Sequence, residues 1–280
     1  MNKACVIGYP ISHSLSPELH NYWLNFYNIK GSYTKEAIEP ENLGKFIDDV
    51  KQGKFVGGNV TVPHKEAIIP FIDEPCPIVK RLGAANTIWL EDGKIHATNT
   101  DGFGFMAHLK ASADSFIAKE TKALIIGSGG AAKAVIDSLC DAGVPNIIIA
   151  NRNVDRAKAT AEHFSSHWPQ TKITAQNLDI DGDQIACSNL IVNTSVLGMK
   201  GQPTLDLDIS SAQKNTIIYD LVYSPLETNL LSQAKKHGLI CIDGLGMLLH
   251  QGRPGFKIWF DFFPEVNSEL KDKILIKSNK

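Results

Sequence analysis

A cluster of glycines between a strand pattern and a helix pattern constrains the fold of this 280-residue chain more than any other feature. Residues 122–126 read Lys-Ala-Leu-Ile-Ile, which predicts a buried strand, and residues 127–130 read Gly-Ser-Gly-Gly. A helix pattern over 131–142 and a second strand pattern over 146–150 follow. A strand, a turn, a helix and a returning strand together predict a βαβ unit in a parallel sheet.

The first hundred residues show the same alternation. Strands are predicted over 4–9, 32–38 and 55–62, and helices over 17–27 and 42–50. Residues 86–98 carry a hairpin pattern, with Asp92-Gly93 as its turn. Beyond the glycine turn, the patterns predict a helix over 153–164, strands near residues 173, 190 and 217, and helices over 247–251 and 264–274. The whole chain is therefore predicted to be α/β, with mainly parallel sheets.

Composition narrows the classes of partner. The formal net charge of −2 gives no electrostatic reason to expect nucleic acid or an anionic membrane. No apolar run reaches the ~18 residues of a membrane span, and a strand pattern from residue 4 onward argues against a signal peptide. The five cysteines are scattered without a C-x-x-C pair, so we expect no disulfide framework and no metal site. A reducing cytoplasm is the expected location.

The glycine turn is a candidate cofactor site. Glycines between a strand and a helix let a pyrophosphate approach the backbone, where the free N–H groups of the helix N-terminus bind it. The spacing departs from G-x-G-x-x-G, because Gly130 directly follows Gly129. A purely structural turn is the alternative.

The end of the next strand indicates which dinucleotide would bind. An NAD site usually carries an acidic residue there, which binds the ribose 2′-hydroxyl. Here the chain reads Ala150-Asn151-Arg152-Asn153, and Arg156 follows one helical turn after Arg152. Two guanidinium groups at this spacing can hold a 2′-phosphate, although Arg156 alone could be a solvated helix residue. The sequence therefore predicts NADP (NADPH).

Polar side chains are concentrated where residues 59–65 read Asn-Val-Thr-Val-Pro-His-Lys. On a strand, Asn59 and Thr61 would share one face, while the two valines alternating with them would share the other. The proline would end the strand, and Lys65 would begin a short helical stretch. An amide, a hydroxyl and an ammonium together suit a hydroxyl-rich substrate and a proton transfer. The alternative is an edge strand with a solvated lysine.

Two serines precede the first helix. Ser14 and Ser16 should face the same way beside the helix N-terminus, where two hydroxyls make an anion site of carboxylate size. Ser16 could instead cap the helix, with Pro17 at its first position. Asp101 likewise could be an N-cap.

These stretches belong to an ordered series of motifs in which the chain resembles the shikimate dehydrogenase family. The series consists of residues 8–17, 20–21 (His-Asn), 59–65, 83–87 (Gly-Ala-Ala-Asn-Thr), 99–102 (Asn-Thr-Asp-Gly), the glycine turn, 193–195 (Asn-Thr-Ser), 219–223 (Tyr-Asp-Leu-Val-Tyr) and 246–251 (Gly-Met-Leu-Leu-His-Gln). The resemblance implies NADP-dependent interconversion of shikimate and 3-dehydroshikimate on the route to aromatic amino acids. It also implies a substrate-binding domain of residues 1–101 plus 247–280, and a Rossmann-like NADP-binding domain of residues 102–246.

The resemblance also implies roles for individual residues. Lys65 and Asp101 would be the catalytic pair, Lys65 moving a proton and Asp101 holding it in position. The substrate would contact Ser14 and Ser16 through its carboxylate, and also Asn59, Thr61, Lys65, Asn86, Asp101, Tyr223 and Gln251. The cofactor would contact Gly127, Ser128, Gly129, Gly130, Ala131, Asn151, Arg152, Asn153, Arg156, Thr194, Ser195, Leu221, Gly244, Gly246 and Met247. The expected partners are these small molecules alone, for a monomer or homodimer.

Some features depart from the family pattern. Asn153 stands where the family usually has Thr, and residues 252–255 read Gly-Arg-Pro-Gly, which predicts an irregular start to the C-terminal helices. Two alternatives stay open. A quinate/shikimate dehydrogenase, often NAD-using, tends to carry an acid where this chain has Arg152. A non-catalytic sensor of shikimate or quinate should have lost the Lys65–Asp101 pair or the glycine turn.

Overall fold

The structure, a computed structural model, describes residues 1–278 and divides into two compact units. Unit 1 consists of Met1–Asp101 together with the chain from Leu249 onward, and unit 2 is Gly102–Leu248. The domain boundary predicted between residues 246 and 247 lies two residues before the observed boundary between Leu248 and Leu249. Residues 279 and 280, which the prediction assigned to the substrate-binding domain, lie outside the described residues.

Strands and helices alternate along most of the described chain. The strands are β1 (Asn2–Gly8), β2 (Gly31–Ala37), β3 (Gly57–Val60), β4 (Glu74–Pro75), β5 (Thr87–Glu91), β6 (Lys94–Thr98), β7 (Lys122–Ile126), β8 (Asn146–Ala150), β9 (Lys172–Gln176), β10 (Leu190–Asn193), β11 (Ile217–Asp220) and β12 (Ile240–Ile242). The helices are α1 (Ser16–Phe26), α2 (Leu43–Lys51), α3 (His64–Ala67), α4 (Pro77–Leu82), α5 (Asp101–Ser112), α6 (Gly130–Asp141), α7 (Val154–His167), α8 (Gly182–Cys187), α9 (Asn229–Lys236), α10 (Leu245–Phe260) and α11 (Ser268–Ser278). The predicted α/β fold class is confirmed.

Unit 1 is built on a mixed six-stranded sheet with the order β2-β1-β3-β5-β6-β4. β1 runs parallel to β2 and β3, and β4 runs parallel to β6, whereas β5 is antiparallel to both of its neighbours. The predicted hairpin is present as β5 and β6. Its turn residues Asp92 and Gly93 have φ values of 51° and 74°, as a two-residue type I′ turn requires. Because β5 runs against β3, the end of β3 lies beside the start of β5.

The core of unit 1 lies between this sheet and its helices. Leu43, Phe46, Ile47 and Val50 recur at the spacing of one helical face, so α2 buries all four against the sheet. Each is at most 3% exposed, and they share one apolar cluster with Ile88 of β5. This packing makes the central strands a rigid base for the polar side chains at their ends.

Unit 2 contains a six-stranded sheet with the order β12-β11-β10-β7-β8-β9, in which every pairing is parallel. Counted from β7, this is the doubly wound order of a Rossmann fold. The chain reverses its direction of progression across the sheet between β7 and β10, and ligands bind such sheets at that point, outside the carboxyl ends of the strands. The glycine turn follows β7 directly.

The strand predicted over residues 55–62 is shorter than expected. β3 covers Gly57–Val60, and the chain then turns through a cis Val62–Pro63 bond into α3. Val60 is 1% exposed whereas Val62 is 70% exposed, so the predicted sharing of one face by the two valines is wrong. The alternation fails because it holds only while the backbone stays extended, and the His64 N–H already bonds back to the Thr61 carbonyl.

The C-terminal helices also differ from the prediction. α10 is one helix of 16 residues that contains Pro254, so the irregularity expected at residues 252–255 is wrong. A proline inside a helix lacks one N–H donor. The helix continues because its later turns are anchored by Phe256 and Trp259, which are at most 2% exposed, and Trp259 Nε1 donates to the Ile88 carbonyl at 3.0 Å. The last helix begins at Ser268, four residues after the predicted start at Pro264.

Within residues 1–278, no helix is both long enough and apolar enough to cross a membrane.

Candidate active site

A lysine and an aspartate of unit 1 form a close ion pair. Lys65 Nζ lies 2.6 Å from Asp101 Oδ2, and the two side chains are 29% and 7% exposed. Lys65 stands at the second position of α3, as predicted, and Asp101 is the first residue of α5. The ammonium therefore reaches solvent while the carboxylate that holds it is buried. Such an arrangement suits proton transfer to a group that binds beside Lys65.

Asp101 is held from its other side by an amide. Asn86 Nδ2 donates to Asp101 Oδ1 at 2.8 Å and to Thr100 Oγ1 at 3.1 Å. The Asp101 backbone N–H donates to Asn99 Oδ1 at 3.0 Å, so Asn99 provides the local cap. The simple N-cap alternative for Asp101 is wrong, because Asp101 is itself the first residue of α5, and both of its oxygens are bound by side chains.

Asn59, at the end of β3, lies half-buried beside this pair and is fixed by three partners. Its amide donates to the Asn86 carbonyl at 3.1 Å and to Thr87 Oγ1 at 3.2 Å. Its Oδ1 accepts a 2.6 Å hydrogen bond from Tyr33 Oη. Burial raises the pKa of Tyr33 well above its ordinary value, so the phenol keeps the proton it donates.

No sequence pattern pointed to Tyr33 as a site residue. It lies in β2, which is only 7 residues long, and a tyrosine in a strand is ordinarily a packing residue. Here Tyr33 is 2% exposed and stacks on His20 with ring centroids 4.1 Å apart. Burial lowers the pKa of His20 to about 3, so the imidazole is neutral and packs as an aromatic ring.

The two serines before α1 lie in one turn. Ser14 Oγ accepts from the Ser16 backbone N–H at 3.3 Å, and α1 begins at Ser16 with Leu15 in the N-cap position. The alternative in which Ser16 caps the helix is therefore wrong, because its side chain makes no cap hydrogen bond. Both serines are half-buried, and Pro17 is the second residue of α1, not the first as the Ser16 cap would require.

Two further predicted substrate residues belong to unit 1. Thr61 follows β3, is half-buried, and its methyl group faces Gly8, where an added Cβ would lie 2.7 Å from it. Gln251 is half-buried in α10. Tyr223 belongs to unit 2, where it follows β11, is 38% exposed, and has a pKa raised by partial burial.

The glycine turn of unit 2 is open on the side that faces solvent. A Cβ added at Gly129 or Gly130 would meet no atom within 4 Å, and Gly129 is the N-cap of α6 without any side-chain cap bond. Gly127 has φ of 111°, and a Cβ there would lie 2.7 Å from Thr194 Oγ1. Gly127 is therefore needed for the turn itself, while the free N–H groups of α6 are available to an anion.

Ser128 plays a different part in this turn from its neighbours. Its side chain is 2% exposed, and its Oγ lies 2.7 Å from Thr160 Oγ1 and donates to the Arg156 carbonyl at 3.2 Å. The hydroxyl thus fastens the turn to α7. Only the backbone of Ser128 remains for a cofactor.

Arg152 and Arg156 are both exposed, at the end of β8 and in the first turn of α7. Asn153 caps α7 by accepting from the Arg156 backbone N–H at 3.1 Å, and Asn151 Nδ2 donates to the Asn153 carbonyl at 2.8 Å. The two amides thus set the path of the chain between the two guanidinium groups. The exposed cations and the open α6 N-terminus fit a dinucleotide with an extra phosphate.

A buried polar network fixes the loops after β10 and β11. Ser195 Oγ donates to Asn193 Oδ1 at 2.7 Å, and Asn193 Nδ2 donates to Asp220 Oδ1 at 2.9 Å. Thr228 Oγ1 donates to Asp220 Oδ2 at 2.6 Å, and burial raises the pKa of Asp220 above its ordinary value. Thr194 Oγ1 donates instead to the Ile126 carbonyl at 2.7 Å. The predicted cofactor residues Thr194 and Ser195 therefore use their hydroxyls within the protein.

Among the remaining predicted cofactor residues are two glycines against which other groups pack closely. A Cβ at Gly244 would lie 2.1 Å from the Leu221 carbonyl oxygen, and one at Gly246 would lie 2.0 Å from His108 Nε2. Met247 is half-buried in the first turn of α10. Only glycine fits at positions 244 and 246. The contact of His108 with Gly246 was not predicted, because an isolated histidine in an apolar helix gives no sequence signal.

No group of three or more His, Cys, Asp or Glu side chains within residues 1–278 could hold a metal ion. Unit 1 thus offers a lysine–carboxylate pair among amides and hydroxyls, and unit 2 a doubly wound sheet with an open glycine turn. Both are typical of oxidoreductases that use a dinucleotide to oxidise an alcohol.

Comparisons with known proteins narrow this class to one family. Residues 6–88 match the model of the shikimate dehydrogenase substrate binding domain, and residues 110–201 match that of shikimate / quinate 5-dehydrogenase. The chain is 46% identical to a shikimate dehydrogenase (NADP+) of Ruegeria sp. (strain TM1040), covering 97% of both chains. With the enzyme of that name from Rhizobium meliloti (strain 1021), identity is 43% over 98% of this chain and 95% of the other.

A solved structure gives the same result. Shikimate 5-dehydrogenase from Thermus thermophilus, in complex with NADP(H) and shikimate, matches with a TM-score of 0.84 and 31% identity, covering 100% of this chain and 99% of that one. The chain belongs to the shikimate dehydrogenase family.

Proposed function

We propose that the protein is an NADP-dependent shikimate dehydrogenase, which interconverts shikimate and 3-dehydroshikimate in the biosynthesis of aromatic amino acids. The observation that carries the proposal is the Lys65–Asp101 pair, 2.6 Å apart and placed beside Asn59 and Asn86. The names of the relatives support the same substrate and cofactor.

Lys65 moves the proton. In the reducing direction the carbonyl oxygen at carbon 3 becomes a hydroxyl, and the Lys65 ammonium donates the proton that this requires. In the oxidising direction the amine accepts it. Asp101 holds Nζ in place throughout, and the 29% exposure of the Lys65 side chain lets it exchange protons with solvent between turnovers. When bound, NADP+ would accept the hydride in the oxidising direction, and NADPH would supply it in the reducing direction.

The remaining polar groups of the site orient the substrate. Ser14 and Ser16 bind its carboxylate beside the N-terminus of α1, where the helix dipole favours an anion. Asn59 accepts a hydrogen bond from a substrate hydroxyl, since both hydrogens of its amide already bond within the protein. Further contacts of the substrate are proposed for Thr61, Asn86, Tyr223 and Gln251.

Unit 2 holds the cofactor. The free N–H groups at Gly129, Gly130 and Ala131 bind the pyrophosphate, and Arg152 with Arg156 binds the 2′-phosphate. Further contacts with the cofactor are proposed for Gly127, Ser128, Asn151, Asn153, Thr194, Ser195, Leu221, Gly244, Gly246 and Met247. Residues 1–101 plus 247–280 are proposed as the substrate-binding domain and residues 102–246 as the NADP-binding domain.

A cytoplasmic location is proposed because the cysteines are free thiols in the structure, as a reducing compartment would keep them. The protein is proposed to work as a monomer or homodimer.

Product identification tests the proposed function. Purified protein incubated with shikimate and NADP should form 3-dehydroshikimate, identified by mass after chromatography, in equal amounts with NADPH. Heat-denatured protein is the control. Recovery of unchanged shikimate without NADPH would contradict the proposal.

A further inference from the structure

Directional hydrogen bonds connect the substrate side of unit 1 to the catalytic pair, and the side-chain route between Asn59 and Asn86 passes through Thr87. The first part joins Tyr33, Asn59 and Thr87. The Asn86 backbone carbonyl can only accept, so Asn59 must turn its NH₂ toward it. Asn59 Oδ1 then faces Tyr33 Oη, which must donate at 2.6 Å, and the second amide hydrogen of Asn59 goes to Thr87 Oγ1 at 3.2 Å.

The second part joins Thr87 to Asp101. The Thr100 backbone N–H can only donate, and it lies 2.9 Å from Asn86 Oδ1, which fixes that amide as well. Asn86 Oδ1 accepts from Thr87 Oγ1 at 2.9 Å, while Asn86 Nδ2 donates to Asp101 Oδ1 at 2.8 Å. Asp101 Oδ2 in turn holds Lys65 Nζ at 2.6 Å.

Thr87 is the junction of the two parts because its hydroxyl accepts from one asparagine and donates to the other. Valine has the same shape but can do neither. The β3–β5 register places Thr87 directly opposite Asn59, so the contact is built into the sheet. Thr87 is 0% exposed, so water cannot replace a missing hydroxyl there without opening the sheet.

We propose that Thr87 is a positioning residue, whose buried hydroxyl joins the two asparagine amides and through Asn86 keeps Asp101 in place beside Lys65. This inference rests on the proposed function. Loss of the hydroxyl leaves one amide hydrogen of Asn59 without its acceptor and removes one of the bonds that fix Asn86. Misplacement of a catalytic pair by a fraction of an ångström lowers turnover without removing any group that touches the substrate.

The test compares steady-state kinetics of Thr87→Val, Thr87→Ser and the matched control Thr98→Val. Thr98 lies opposite Thr87 on β6 and outside this set of hydrogen bonds, its Oγ1 accepting from Cys76 Sγ at 3.3 Å. For Thr87→Val we expect kcat to fall about 10- to 100-fold and the KM for shikimate to rise, with the KM for NADP unchanged. Thr87→Ser should restore kcat to within about threefold of the wild type, since it restores the hydroxyl.

These readouts separate positioning from loss of folded protein. A smaller active fraction would lower the apparent kcat and leave both KM values unchanged, which would overturn the proposal. The proposal would also be overturned if the kcat of Thr87→Val were within twofold of that of Thr98→Val. It would be overturned as well if Thr87→Ser failed to recover kcat. If Thr87→Val does not fold, Thr87→Ala gives the same comparison without the added methyl group. Absence of shikimate turnover by the wild type would instead reject the proposed function.

Discussion

Lys65→Met is expected to lower kcat by about 10²- to 10⁴-fold, the range over which a positioned general acid or base accelerates proton transfer. The KM for shikimate should change much less, because the proposed carboxylate contacts at Ser14 and Ser16 are retained. Stopped-flow and steady-state absorbance at the NADPH band measure both quantities. Lys54→Met is the matched control, since Lys54 belongs to the same unit and forms a 3.0 Å surface ion pair with Asp49. Its kcat should stay within twofold of the wild type.

Folding must be separated from chemistry in this variant. Removing Lys65 leaves the 7%-exposed carboxylate of Asp101 without its cation, which destabilises a fold when no other group compensates. The double variant Lys65→Met/Asp101→Asn removes both charges and should unfold at a temperature closer to that of the wild type while staying inactive. Near-normal turnover in a folded Lys65→Met protein would disprove the assignment of the proton carrier.

Arg152→Ala is expected to lower kcat/KM for NADP about 10- to 100-fold and to leave kcat/KM for NAD within about twofold, because a charged hydrogen bond to the 2′-phosphate is lost and NAD has no such group. Lys158→Ala is the matched control. Lys158 is an exposed cation in α7, which begins two residues after Arg152, and it pairs with Asp155 at 3.7 Å. Equal losses with both dinucleotides would show that Arg152 does not read the 2′-phosphate.

Local sequence patterns predicted most of the fold because each element carries its own signal. β8 was predicted with its observed bounds, and the hairpin was predicted from Asp92-Gly93, whose backbone conformation few residue pairs tolerate. The end of β3 was missed because alternation looks the same whether or not the chain leaves the sheet at Thr61. The length of α10 was missed because Pro254 is a helix-breaking signal, and its effect is overridden by the burial of residues 256 and 259.

The proposed site residues were identified from sequence motifs, whereas the residues that hold them in position were identified only in the structure. Asn59 was singled out by the polar face predicted for residues 59–65, whereas Asn86 was assigned only through the resemblance to the family. Tyr33 and Thr87 are ordinary strand residues. The β3–β5 register shows that Thr87 faces Asn59, and the 2.6 Å hydrogen bond to Asn59 shows the role of Tyr33. Such positions depend on pairing between distant segments, and no local pattern of one sequence encodes that pairing.

The most direct test of the central claim compares kcat/KM of the wild-type protein for four pairs: shikimate or quinate, each with NADP or NAD. A shikimate enzyme whose arginines read the 2′-phosphate should give its highest value with shikimate and NADP, and replacing either partner should lower it. A highest value with quinate and NAD would identify a quinate dehydrogenase instead, and no turnover with any pair would contradict an enzymatic role for the Lys65–Asp101 pair.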